Sequence, residues 1–264
     1  MRSRKFPGLV AAASLVLGLI VGSPITASAG NELNCPGGPI PPGTYDSIDV
    51  SGFCLVVGPV TVKHDVTVVG GGVLLALFGA GTLVVGGNMK VESGGSAAVG
   101  CEPEHFPCFD SPSGITNDTI AGSVLADHAV LLLFHHDTIG KNVEEHSGGG
   151  GLTCASLPAF GPNGPPPYST YEDDTIGGNA SVTDLRTCWV GFFGNKVGGN
   201  VEWHNNQTLD PDGNEIASNT IQRNLDCSHN APPPQIGDSI TEGRGPNTVL
   251  GRNTGQCPPV VIPD

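Results

Sequence analysis

The sequence predicts an all-β chain wound as a parallel β-helix, a solenoid with irregular side loops and capped ends. Three observations lead there. A short phrase recurs along the chain, its strand-like runs alternate between Gly-rich turns, and no window carries a capped helical period. The 264 residues include 40 Gly and 23 Pro, which argues against a helical bundle, and 38% hydrophobic content is too high for a disordered tail.

The phrase is Asp or Asn, Thr, Ile or Val, two small or polar residues, Asn, then an apolar residue. Its copies begin at Asp118, Asp137, Asp174, Asn195, Asn219 and Asn247. Their apolar anchors, Ile120, Ile139, Ile176, Val197, Ile221 and Val249, are spaced by 19, 37, 21, 24 and 28 residues, the 37 being a long excursion or a double step. Three residues after the first five anchors stand Ser123, Asn142, Asn179, Asn200 and Asn224, each followed by an apolar residue; Arg252 breaks the last copy. Identical side chains at identical turn positions are what stacked coils set one above another, so the Asn residues are expected to form a hydrogen-bonded column. Runs such as Ala180–Val182 and Val201–Trp203 alternate as strands do, and Gly-Gly pairs turn the chain between them.

Residues 1–29 read as a secretory leader, with Arg2, Arg4 and Lys5, an apolar stretch from Leu9 to Val21, and Ala27-Ser28-Ala29 at its end. Its removal would leave 8 basic against 25 acidic residues, a net charge of −17, which disfavours nucleic acid and anionic membrane as partners. No later apolar run is long enough to span a membrane. Eight cysteines, Cys35, Cys54, Cys101, Cys108, Cys154, Cys188, Cys227 and Cys257, are expected to form disulfides in an exported chain. On the order of a hundred connectivities are open; pairing of neighbours would suit a linear array.

Residues 30–64 are expected to cap the N-terminal end, 65–257 to form the β-helix with a loop thrown out near 147–173, and 258–264 to trail as a tail. The runs Val73–Phe78 and Ala129–Phe134 are apolar on both strand faces, so the outward face needs cover from a loop or a partner.

Chemistry-bearing residues are few. Asp173 and Asp174 with Asp184 and Arg186 make the best catalytic guess, an acid group with a basic partner for polysaccharide chemistry, although Asp173 and Asp174 are adjacent and would point to opposite faces. Trp189, Phe192, Phe193 and Trp203 include both tryptophans of the chain and suggest a sugar-stacking platform. Stacked Asp118 and Asp137 would repel by about 1 kcal/mol in water. Asx-type turns, each acid accepting a backbone N–H, are the plain account of that column; Ca²⁺ held between the two carboxylates is the alternative.

The phrases Ile176-Gly177-Gly178-Asn179, Val197-Gly198-Gly199-Asn200-Val201 and Pro246-Asn247-Thr248-Val249 through Gly255-Gln256-Cys257 resemble secreted actinobacterial-type proteins of unknown function with a right-handed, pectin-lyase-like β-helix. The likeness spans residues 80–257. It implies a right-handed coil and export to the extracellular space, and transfers no catalytic residue. The expectation is a non-enzymatic solenoid that binds or organises cell-surface material such as polysaccharide. A polysaccharide lyase or hydrolase, and a surface protein that self-associates through its apolar strands, are the alternatives.

Overall fold

The computed structural model describes residues 31–237 and 244–257; the expected leader (1–29) and tail (258–264) lie outside them. Within these bounds the chain is a right-handed parallel β-helix, built of short strands and one 3-10 turn at Pro158–Phe160. Its three long sheets hold 10, 8 and 9 strands, all paired in parallel, and each winding of the chain adds a strand to each sheet in turn. One winding runs Val66–Val68 in sheet 1, Val73–Ala76 in sheet 2 and Thr82–Val85 in sheet 3, after which Met89–Val91 returns to pair with Val66–Val68.

The anchors of the repeat stack as one inward column in sheet 3: Ile120, Ile139, Ile176, Val197, Ile221 and Val249 share a register, continued upstream by Val85 and Val62. The 37-residue gap is a single coil carrying an excursion, since Ile139 and Ile176 are direct neighbours. Burying one such side chain stabilises by about 1.5–3 kcal/mol, a gain that exists only when coils stack. Four rings fill the interior where aliphatic side chains give way, in the order Phe134, Tyr171, Phe192 and Trp203, with successive centroids 5.6, 6.0 and 5.9 Å apart.

The Gly-Gly of the phrase has a steric cause. A Cβ on Gly177 or Gly198 would lie 2.4 Å from the carbonyl oxygen of Gly140 or Gly177 on the coil before, and one on Gly199 would lie 2.3 Å from Asn179 Oδ1. Close approach between coils thus demands glycine there.

Residues 33–62, expected as a cap, enter the same three sheets as the first two windings. Leu33–Cys35 pairs with Ile48–Val50, Gly38–Ile40 with Phe53–Val56 and Gly43–Tyr45 with Pro59–Val62. The excursion near 147–173 is shorter than expected, because Tyr168–Glu172 is a full strand of sheet 2. The cysteines pair as neighbours: Cys35 with Cys54, Cys101 with Cys108, Cys154 with Cys188 and Cys227 with Cys257.

Loops from within the chain cover the doubly apolar strands. On the outer face of sheet 2, Val73, Leu75, Leu77, Ala98, Leu131 and Leu133 are buried beneath Phe106 of one loop and Leu157 and Phe160 of another. The disulfide of Cys154 to Cys188 ties the second loop to sheet 2's flank.

Candidate functional site

Polar columns run along the coil, and they differ in what they face. The first is the expected Asn column, at the corner between sheets 3 and 1. The backbone N–H of Asn179 donates to Asn142 Oδ1 at 3.0 Å, that of Asn200 to Asn179 Oδ1 at 2.8 Å and that of Asn224 to Asn200 Oδ1 at 3.2 Å. The side-chain amides of Asn200 and Asn224 add a second bond each. The column extends beyond the repeat: Asp65 receives the N–H of Asn88, Asn88 that of Ser123, and Asn224 that of Arg252. Arg252 therefore continues the ladder through its backbone, where the sequence showed a break. Apart from Ser123, which is buried, these side chains are exposed or half-buried, so the column lies on the surface.

Two further columns point inward. Asp118, Asp137, Asp174, Asn195, Asn219 and Asn247 stack at the corner between sheets 2 and 3. Asp174 accepts the N–H of Asp137 at 2.8 Å, Asn195 that of Asp174, Asn219 that of Asn195, and Asn247 that of Asn219. The expected local Asx turns are replaced by bonds between coils, because the donor N–H belongs to the neighbouring winding. Asn195, Asn219 and Asn247 also donate Nδ2–H to the carbonyls of Tyr171, Phe192 and Ile216. An aspartate has no such donor, and Asp118 Oδ2 and Asp174 Oδ2 are buried without a hydrogen-bond partner. Burial pushes the Asp118 carboxyl up to about 7. Burial, then the charges of Asp174 and Asp118, hold Asp137 well above the usual range. Burial, then Glu172 and Asp173, does the same to Asp174. The third column, Asn206, Asn230 and Gln256, faces inward between sheets 1 and 2 and was not visible in the phrase.

The catalytic guess separates in space. Asp173, at φ 56°, stands at the corner after sheet 2 and faces outward, whereas Asp174 is wholly buried on the inner column. Asp184 lies at the corner between sheets 1 and 2, contacting Asn205 and His146, and Arg186 bonds Gln207. No hydrogen bond or ion pair among the described residues joins Asp173 or Asp174 to Asp184 or Arg186. The aromatic set also divides. Phe192 and Trp203 are interior, and Trp203 Nε1–H donates to Asn214 Oδ1 at 2.8 Å. Trp189 and Phe193 lie on the outer face of sheet 2, stacked at 5.6 Å over Gly191, with Trp189 half-buried.

Asp173 instead joins residues that sequence reasoning had not grouped. A loop leaving sheet 2 after Val99 is closed by Cys101–Cys108 and brings Glu102 and His105 to this corner. Arg244 arrives from the penultimate winding, bonding Asp173 Oδ1 at 3.2 Å, Asp173 Oδ2 at 3.0 Å and Glu172 Oε1 at 2.5 Å while its guanidinium sits 5.6 Å above Phe193. His135, stacked on Phe106 at 4.3 Å, places Nδ1 3.2 Å from Glu172 Oε2. His136, at φ 63°, turns the chain before Asp137, so His135 faces out and Asp137 faces in. Burial, then Asp173, raises the Glu102 carboxyl; for Asp173, burial pulls upward but the Arg244 hydrogen bond and charge prevail and hold it low. The residues meet across 71 positions of sequence, which no local pattern signals.

The outer faces of sheets 1 and 3 carry the remaining polar surface. In sheet 3 the outward position of successive coils is Thr44, Thr61, Val84, Thr119, Thr138, Thr175, Lys196, Thr220 and Thr248, in one register. In sheet 1, Glu144, Ser181, Glu202 and Asp226 follow one another outward and line shallow depressions beside the Asn column. Among the described residues no helix is long and apolar enough to cross a membrane. No protein-family model, curated protein or solved structure matches the chain.

Proposed function

We propose that the chain is an exported, disulfide-braced β-solenoid of the pectin-lyase-like kind its repeat phrases resemble, and that it binds an extended neutral polysaccharide along its side. One observation carries this reading. The threonine column of sheet 3, the asparagine column and the outward row of sheet 1 adjoin one another as an exposed or half-buried hydrogen-bonding belt, while the outer face of sheet 2 is buried under loops. The belt repeats at the strand spacing of about 4.8 Å, so a polymer of repeating hydroxyl groups meets donors and acceptors in series, and weak contacts add along its length. Glu144, Glu202 and Asp226 on the same belt disfavour anionic polymers. Four disulfides agree with an oxidising, extracellular setting.

Co-sedimentation with insoluble neutral polysaccharides and with cell walls tests the proposal. Wild type is expected in the pellet, and the triple variant Thr138→Val, Thr175→Val, Thr220→Val, which removes three hydroxyls from the row without stacking charge on it, in the supernatant with an unchanged melting temperature. Absence of wild type from every pellet, or equal retention of the variant, refutes it.

A further inference from the structure

We propose that Glu102, His105 and Asp173 form a binding site for a divalent transition-metal ion of the Zn²⁺ type, which ties the Cys101–Cys108 loop to the coil that carries Asp173. The site lies at the corner after sheet 2, so the inference stands apart from the polysaccharide reading. Among the described residues these three offer one imidazole nitrogen and two carboxylate oxygens, all within 4.8 Å of one another.

The spacing is that of ligand atoms around an ion. His105 Nδ1 lies 3.2 Å from Glu102 Oε1 and 3.3 Å from Asp173 Oδ2. A tetrahedral Zn²⁺ with ligands at about 2.0–2.1 Å holds them roughly 3.3 Å apart. One N–H shared between the two carboxylates makes only a bent, three-centre contact, whereas a lone pair of that nitrogen and one from each carboxylate can converge on a common point. The charge agrees. Glu102, Glu172 and Asp173 bring three negative charges to the corner and Arg244 one positive, so a divalent ion neutralises the group. An imidazole beside two carboxylates favours a transition metal over Ca²⁺, which takes oxygen ligands.

The supporting shell is already fixed. Arg244 holds both oxygens of Asp173, as outer partners orient ligating carboxylates elsewhere. The disulfide, the Glu102–Phe106 bridge, the bond of Cys101 N–H to Thr116 Oγ1 and the Phe106 stack on His135 hold the loop that bears Glu102 and His105. His105 and Asp173 side chains are 29% and 28% exposed, which leaves a path for the ion and a fourth position for water.

Calorimetric titration of the whole chain with Zn²⁺, paired with thermal unfolding, tests the site. Wild type is expected to bind one equivalent and to melt higher with the ion, reversibly on chelation. His105→Ala and Glu102→Gln are expected to lose at least tenfold in affinity and the melting shift with it. His146→Ala, which removes an exposed imidazole 3.4 Å from Asp184, is expected to keep both. Wild-type affinity in His105→Ala, or no saturation at one equivalent, overturns the proposal. Should a variant fold poorly, Co²⁺ added to wild type decides: visible d–d bands that saturate at one equivalent and are displaced by Zn²⁺ are expected, and their absence is contrary.

Discussion

Glu145 sits inside the coil, 2% exposed, at a position where every neighbouring winding of sheet 1 carries an apolar or sulfur-bearing side chain: Ala126, Val182, Trp203 and Cys227. Its carboxyl accepts from Ser169 Oγ at 2.6 Å and Tyr171 Oη at 3.1 Å. Burial pushes its pKa up from 4.5 to about 7, against the opposing pull of those two hydroxyls. In the unfolded chain the group ionises near its ordinary value, so between pH 4.5 and about 7 the folded state holds a proton that the unfolded state has released. Its stabilising contribution is full below 4.5 and is lost as pH rises through 7. At about 1.4 kcal/mol per pH unit the loss totals about 3 kcal/mol, or roughly 6–12 °C in melting temperature for a domain of this size. Glu145→Gln keeps an acceptor and a donor for the same hydroxyls and removes the charge. Thermal unfolding at pH 4 and pH 8 should therefore show the variant gaining roughly 6–12 °C on wild type between the two conditions. A wild-type-to-variant difference that is the same at both pH values refutes the reasoning.

Asp118→Asn follows the same sign on the inner column: with its carboxyl raised from 3.8 to about 7, the substitution should raise the melting temperature at pH 8 and leave it nearly unchanged at pH 3.5, as read by calorimetry. Gly198→Ala drives a Cβ to 2.4 Å from Gly177 O and should destabilise by about 1–3 kcal/mol in denaturant titration. The double variant Cys154→Ser, Cys188→Ser releases the loop bearing Leu157 and Phe160; stability should fall by about 2–4 kcal/mol, and a dye specific for apolar surface should bind where Leu131 and Leu133 lose cover.

The register of the solenoid was legible because one phrase recurs with its Ile or Val and its Asn in fixed places. Coils that fill the same geometry with other residues stayed hidden. Val60-Thr61-Val62 followed by Asp65 performs the role of Thr175-Ile176 followed by Asn179, yet shares only the pattern of burial with it. The inner Asn206, Asn230 and Gln256 column escaped because its copies are few and unequally flanked. Asp173 and Asp174 face opposite ways, but the cause is the corner that Asp173 turns at φ 56° beyond the strand end at Glu172, not strand alternation, and Asp173 was read with the wrong partners. Its real partners, Glu102, His105 and Arg244, come from loops whose paths depend on a disulfide and on the number of windings between them, which spacing does not encode. The aromatic set misled for a related reason: Phe192 and Phe193 are adjacent on one strand, so one ring had to enter the core when the other left it.

The lateral-binding account is tested most directly by hydrogen–deuterium exchange with and without a neutral polysaccharide that retains the protein. Slowed exchange is predicted along residues 138–144, 175–181, 196–202 and 220–226, the successive rungs of the polar belt. Protection centred on Trp189 and Arg244, or no change along those rungs, would contradict it.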